Sequence, residues 1–249
     1  MTPLHAAESA AREAGALLRQ HFGRDLDVDE AKAHDIKLAL DRESQELITR
    51  VLLDAFPGHA IYGEEGLAGD QASSHQWIVD PIDGTVNYFY GIPHFCISIA
   101  LRENDTVTHG LIYDPMLDEL WTVERGGPPQ LNGRPVKASA RATLGESVLF
   151  VGCGKDQEAL EIGLKRFERA SLKARKMRMM GSAALGMAYI ACGRLDAYIE
   201  SRISLWDIAA GQLLVESAGG MVELTPDPVD DNVWAIVATN GKIPVEEIL

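Results

Sequence analysis

Two carboxylates and a hydroxyl, Asp80, Asp83 and Thr85, stand close together in Trp77-Ile78-Val79-Asp80-Pro81-Ile82-Asp83-Gly84-Thr85-Val86-Asn87. Trp77 to Val79 read as a buried strand, after which Pro81 and Gly84 predict a sharp turn that carries both acids. Paired acids at a strand end, followed by a Gly-Thr step, suit hard divalent cations held beside a phosphate. An Asp-Gly pair alone marks turns in many chains. The longer run Asp-Pro-x-Asp-Gly-Thr would arise by chance in a chain of this length roughly once in ten thousand.

The elements that must position these groups follow from patterning. Thr2-Pro3 opens a first helix whose Leu4, Ala7, Ala11, Ala14 and Leu18 recur at helical spacing until Gly23. A charged connection, 24–34, leads to Asp35-Ile36-Lys37-Leu38-Ala39-Leu40-Asp41. A second helix follows and ends before Pro57-Gly58, with Asp41 at its start, where the helix dipole favours a carboxylate. Ile61-Tyr62 is a short strand entering Gly63-Glu64-Glu65-Gly66. Glu64 lies 16 residues before Asp80, enough for the chain to return to a neighbouring strand and bring both acids to one rim. From Cys96 to Glu124 the apolar period becomes two, predicting an antiparallel meander. Beyond Ser147 come a strand (148–151), a charged helix (156–170) and a basic strand (173–178). A small-residue helix (182–192), a strand (195–200), a helix opened by Trp206-Asp207, and strands 221–224 and 233–238 complete the chain. Alternating helices and strands predict stacked layers.

Hydrophobic residues at 46% and charged residues at 24% are ordinary globular values, and 249 residues are enough for a sizeable core. The net charge of -14 argues against nucleic acid or an anionic membrane as partner. Cys96, Cys153 and Cys192 are odd in number and widely spaced, which fits reduced thiols in a cytoplasmic protein better than a disulfide frame or a zinc site. The charged N-terminus and the absence of a long apolar run predict a soluble chain.

Glu64-Glu65, then Asp80-Pro81-Ile82-Asp83-Gly84-Thr85, then Trp206-Asp207 heading an Ala-Gly helix, together resemble the inositol monophosphatase family over nearly the whole chain. The resemblance implies a single domain, 1–249, folded as an alternating αβαβα sandwich. Its N-terminal half (1–146) would carry the metal motifs, and its C-terminal half (147–249) would complete the site. It implies a magnesium-dependent, lithium-sensitive phosphomonoesterase, often a homodimer, acting on a small phosphorylated metabolite. Two to three Mg²⁺ ions are expected: one held by Glu64, Asp80 and the carbonyl of Ile82, a second by Asp80, Asp83 and Asp207, and a weaker third near Glu64. Glu65 is expected to orient its neighbour.

By the same resemblance, the main-chain N–H groups of Gly84 and Thr85 take phosphate oxygens. The Thr85 hydroxyl, bonded to Asp41, helps to activate the attacking water, and Glu64 is the other candidate for its proton. Gly181, Ser182, Ala183 and Glu200 match groups that contact the alcohol half; the bland alternative is a satisfied strand-end acid and a helix cap. Lys32 loosely matches a loop lysine, whereas Arg178, read only from its place on a basic strand, suits an anion contact or a dimer contact equally. Leu38 and Val86 depart from positions where the family commonly has Thr. The acids make independent sense as a cation site, since like charges about 4 Å apart cost about 4 kcal/mol per pair at an effective dielectric of 20. None of these motif residues is a convincing covalent nucleophile, so direct attack by a metal-activated water is expected. Inositol-1-phosphate is the default substrate. Histidinol phosphate, fructose-1,6-bisphosphate and 3'-phosphoadenosine 5'-phosphate are the alternatives, and for a bisphosphate only Arg178 and Lys176 offer a nearby second anion site. A reading of another class, a metal-dependent binding or regulatory protein, would predict loss of one of Glu64, Asp80, Asp83, Thr85 or Asp207, and all five are present.

Overall fold

Thr2 caps the first helix, α1 (Pro3–His21), its hydroxyl accepting from the N–H of His5 at 3.3 Å, with proline in the first turn where its missing donor costs nothing. The computed structural model describes residues 1–32 and 35–249, with the side chains of Lys32 and Asp35 outside the description. The loop lysine expected at Lys32 therefore lies outside the described side chains.

The next elements are β1 (Val28–Lys32), β2 (Asp35–Leu38) and α2 (Ala39–Ala55). They are followed by β3 (Ala60–Gly63), β4 (Gly66–Gly69), β5 (His75–Asp83) and the short α3 (Thr85–Phe89). The meander is β6 (Cys96–Glu103), β7 (Thr106–Asp114) and β8 (Glu119–Glu124), continued by β9 (Gln130–Leu131) and β10 (Arg134–Pro135). They form one sheet in the order β10-β9-β8-β7-β6-β5-β3-β4. The second half brings β11 (Val148–Val151), α4 (Gln157–Ser171), β12 (Lys176–Arg178) and α5 (Ala183–Ala191). It ends with β13 (Ala197–Ser204), α6 (Leu205–Ser217), β14 (Met221–Pro226) and β15 (Val233–Thr239). These strands make a second sheet, β12-β11-β13-β15-β14.

Strand alternation sends neighbouring side chains into different cores. On β6, Ile97, Ile99 and Leu101 pack beneath α1 and α2, whereas Cys96 and Ala100 face α5 and α6. A third core, with Phe150, Tyr198 and Ile236, lies between those same helices and the second sheet, and a fourth lies beyond that sheet, where α4 packs. The layers are therefore α1/α2, sheet, α5/α6, sheet, α4, the expected αβαβα sandwich. On β5, Asp80 falls on the same face as Ile78, and on β13 Glu200 falls on the same face as Tyr198. Both acids thus point into the central helical layer from opposite sheets.

Local expectations change in four places. The charged connection contains β1, which pairs antiparallel with β2, and so has hydrogen-bonding partners that its poor apolar content did not announce. The turn after Glu64-Glu65 is a hairpin into β4. Pro81 does not end its strand. β5 runs on to Asp83 with an irregularity between Asp80 and Asp83, where a residue lacking an N–H is tolerated. Likewise β13 continues past Glu200 to Ser204 through an irregularity between Glu200 and Ile203, so Glu200 is not at a strand end.

Candidate active site

Glu64 reaches the site because β3 and β5 run parallel, and its N–H bonds the carbonyl of Val79 at 3.1 Å. Asp80 accepts the N–H of Ile82 at 3.0 Å, which holds the bulged segment in place. Gly84 follows at φ 98°, a left-handed conformation that glycine adopts without a side-chain clash, and turns the chain into α3. Asp83 meets the start of α5, accepting from the Ser182 hydroxyl at 2.5 Å and from the N–H groups of Ala184 at 2.7 Å and Ala183 at 3.2 Å. Asp207 is the third residue of α6, where it accepts the Ser204 N–H at 3.0 Å in a capping box.

These three carboxylates converge. Asp80, Asp83 and Asp207 each offer an oxygen within 4.8 Å of the others. Asp80 and Asp83 are buried; Asp207 is partly open to the cavity. Burial first, then the charges of Glu64, Asp207 and Asp83, push Asp80 well above the usual carboxylate range. Burial and the charges of Asp83 and Glu64 do the same for Asp207. Asp83 is raised by burial, against the opposing hydrogen bonds from α5. Hard oxygen donors that repel one another in a buried cluster fit a divalent cation of the magnesium or calcium kind.

Asp41 lies behind this cluster. It accepts the N–H of Leu38 at 2.7 Å, and burial pushes its carboxyl up to about 7, with the charges of Glu64 and Glu65 adding to the shift. The expected contact with Thr85 is long, 3.5 Å, while the Thr85 hydroxyl donates to the carbonyl of Ile82 at 2.9 Å. Glu65 turns away to pair with Lys37 at 3.0 Å, and its N–H is held by Gln45.

A cavity of about 320 Å³ is lined by every expected site residue except Asp41 and Glu65, which stand behind it. The side facing the second sheet was not anticipated. It comprises Phe150, Gly152, Cys153, Gly154, Lys155, Met179 and Ile203, joined by Asn87 beside Val86. Glu200 lines this side with its oxygens already engaged: the Gly154 N–H donates to it at 2.8 Å and so does the Tyr198 hydroxyl. Arg178 is exposed on the edge strand β12 and donates to the carbonyl of Met177; the cation that reaches the cavity is Lys155. The signal for it was legible as a strand, Gly152-Cys153-Gly154-Lys155, then a helix, a glycine-rich connection that brings backbone close to a ligand.

Two stacked sheets with helices between and outside them, and an acidic pocket at the head of the central helices, define a metal-dependent phosphatase of layered α+β type. The chain belongs to the inositol monophosphatase family, whose family model it matches over residues 2–248. It is 41% identical over 217 residues to a Xylella fastidiosa protein named Nus factor SuhB, covering 86% of this chain and 78% of that one. An inositol-1-monophosphatase of Mesorhizobium japonicum is 39% identical over 227 residues, 88% of this chain and 84% of the relative. Among solved structures, an IMPase of Thermotoga maritima superposes with a TM-score of 0.88 at 35% identity, covering 100% of this chain and 96% of that one. The family assignment makes the chain a phosphoric monoester hydrolase.

Proposed function

We propose that the chain is a Mg²⁺-dependent phosphomonoesterase acting on a small polyol phosphate, with inositol-1-phosphate as the default substrate. The observation that carries this reading is the convergence of Asp80, Asp83 and Asp207 within 4.8 Å in a cavity that also exposes the Gly84-Thr85 step. On this reading Glu64, Asp80 and the Ile82 carbonyl hold one ion, Asp80, Asp83 and Asp207 hold a second, and a third sits near Glu64. Magnesium there would supply Lewis acidity toward the phosphoryl oxygens and would acidify water.

The chain's own groups then divide the remaining work. Main-chain N–H groups of Gly84 and Thr85 take phosphate oxygens. The Thr85 hydroxyl orients the attacking water, and Asp41, 3.5 Å from that hydroxyl, is the partner that takes the proton passed through it. Glu64 remains the alternative acceptor. The alcohol half lies against Gly181, Ser182, Ala183 and Glu200. Ser182 and Ala183 already donate to Asp83, so they position that acid as well. Each oxygen of Glu200 can still accept a further hydroxyl.

All three cysteines are free, and burial raises each thiol above its ordinary value, which supports a non-catalytic role for sulfur; the reading includes a cytoplasmic setting. The reading includes a single domain whose two halves both contribute to the site, and a homodimer. The net charge of -14 supports a small ester held through cations rather than a nucleic-acid or membrane partner. Among the described residues no helix is long and apolar enough to cross a membrane.

The test is phosphate release with Mg²⁺ across inositol-1-phosphate, histidinol phosphate, fructose-1,6-bisphosphate and 3'-phosphoadenosine 5'-phosphate. One ester standing about tenfold above the others in kcat/KM would name the substrate, a discrimination within reach of a few polar contacts. Release from none by metal-loaded protein would sink the reading in favour of a metal-dependent binding protein.

A further inference from the structure

Tyr198 and Glu200 stand two residues apart on β13, so their side chains leave the same face of the strand, and the tyrosine hydroxyl donates to Oε2 of the carboxylate. Glu200 lines the cavity and Tyr198 does not. The tyrosine is fully buried, its ring centroid 4.8 Å from that of Phe150. Both rings lie against α5 at Gly186, where a β-carbon would fall 2.6 Å from the Phe150 ring and 3.8 Å from the Tyr198 ring. Packing on two sides fixes the tyrosine ring, and with it the point from which the hydroxyl donates.

The other oxygen of Glu200 is held from a different direction. Its Oε1 accepts the Gly154 N–H at 2.8 Å. Gly152 leaves room for the carboxylate, since a β-carbon there would stand 1.9 Å from Oε2. One donor on each oxygen sets the plane of the carboxylate, and each oxygen keeps a lone pair for a further donor. Burial pushes Glu200 above the ordinary carboxylate range, and the Tyr198 hydroxyl and the Gly154 N–H oppose that shift. Both donors therefore favour the ionised acid, which only accepts. A buried tyrosine satisfied by the nearest acid would be the simpler account, and it predicts no effect on which esters are hydrolysed.

We propose that Tyr198 is a positioning residue of the active site: acting through Glu200, it holds the carboxylate as an oriented hydroxyl acceptor and so sets how the cavity selects the alcohol half of the ester. The proposal rests on the phosphatase reading, with Glu200 against the alcohol, and deepens it.

The test compares glycerol-2-phosphate with isopropyl phosphate, which has the same carbon skeleton without the two hydroxyls. Initial rates are measured with Mg²⁺ for the wild type, Tyr198→Phe, Gly152→Ala, Glu200→Ala and the double variant Tyr198→Phe/Glu200→Ala. The wild type should prefer glycerol-2-phosphate by about tenfold in kcat/KM, an ordinary size for a hydrogen bond to a charged group. Tyr198→Phe keeps the ring and removes the donor. Most of the preference should go, through KM rather than kcat, while isopropyl phosphate loses much less. Gly152→Ala leaves the tyrosine intact and displaces the carboxylate, so it should lose the preference as well. In Glu200→Ala the preference should already be absent, and adding Tyr198→Phe should change it by less than about twofold.

An unchanged preference in Tyr198→Phe would overturn the proposal. So would an equal loss on both esters, which would make the tyrosine a structural residue only. A preference kept in Gly152→Ala would mean that the orientation of the carboxylate does not set it, and a further effect of Tyr198→Phe in the Glu200→Ala background would mean that the tyrosine acts by another route; either result also overturns the proposal. If the wild type hydrolyses both esters without preference, the proposal fails and the phosphatase reading stands. If it hydrolyses neither, both fall.

Discussion

Asp41 has a carboxyl pushed up to about 7 against 3.8 for the ordinary group, chiefly by burial, so the folded chain holds its proton more tightly than the unfolded chain. Between those two values the native state binds more protons, and stability therefore falls as pH rises: Asp41's contribution is intact below about 3.8 and gone above about 7. Asp41→Asn keeps an acceptor for the Leu38 N–H and removes the titration. In metal-free protein its stability advantage over wild type should widen from pH 5 to pH 8.5, by on the order of 2 kcal/mol in denaturant titrations. The same variant should lose turnover, so that the acid destabilises the fold where it serves the reaction. A pH-independent advantage would detach Asp41 from the titration. Asp207→Asn should lower kcat by about a hundredfold or more with the fold retained, because a ligand of the second ion is lost. Unchanged turnover would make the acid cluster a structural feature only.

At the scale of elements, the site is a meeting of helix starts with a bulged strand. Asp83 is held by the first turn of α5, and Ser182 is both that helix's cap and a donor to the acid. Ser182→Ala should therefore do two separable things. It should lower the melting temperature by about 2–6 °C through loss of the cap, and it should raise the Mg²⁺ concentration needed for half-maximal activity by about tenfold, since Asp83 loses an orienting donor. A stability loss with unchanged metal dependence would confine Ser182 to capping. Much of this level was legible in the sequence. Thr2-Pro3, the period-two run from Cys96, and Asp207 in a helix's first turn all carry local signals that do not depend on distant partners. The bulges at 81–82 and 201–202 were not legible, because Pro81 reads as a strand breaker until the neighbouring strand and its register are known. The resemblance pairs Thr85 with Asp41, but the shorter bond of Thr85 goes to Ile82, a backbone choice that residue types do not reveal. The wall from Phe150 to Lys155 carries only a weak signal, because its glycines and lone lysine look like an ordinary connection until β13 is placed beside them.

The whole molecule explains why four acids from distant segments need a cation. Glu64, Asp80 and Asp83 come from the first sheet and its edge, and Asp207 comes from a helix that packs between the two sheets. Folding drives them together through apolar cores that have no stake in their charge, and the buried cluster then opposes that packing. An ion held at 100 times its dissociation constant would add about 2.7 kcal/mol to the native state, and a second would add to it. For a chain of this size that corresponds to a rise of about 5–10 °C per ion-equivalent in melting temperature. Thermal unfolding in chelator should therefore begin well below unfolding in excess Mg²⁺. The gap should shrink in Asp207→Asn, where the metal-free protein is relieved of a buried charge and the loaded one has lost a ligand. Because the acids join the two sheets through the central helices, the whole transition should move with metal, with one midpoint by both far-ultraviolet circular dichroism and the fluorescence of the four tryptophans, Trp77 and Trp121 on the first sheet, Trp206 on α6 and Trp234 on β15. A melting temperature indifferent to Mg²⁺ would count against a multi-ion site. Different midpoints by the two probes would mean that the ions do not brace the molecule as one unit.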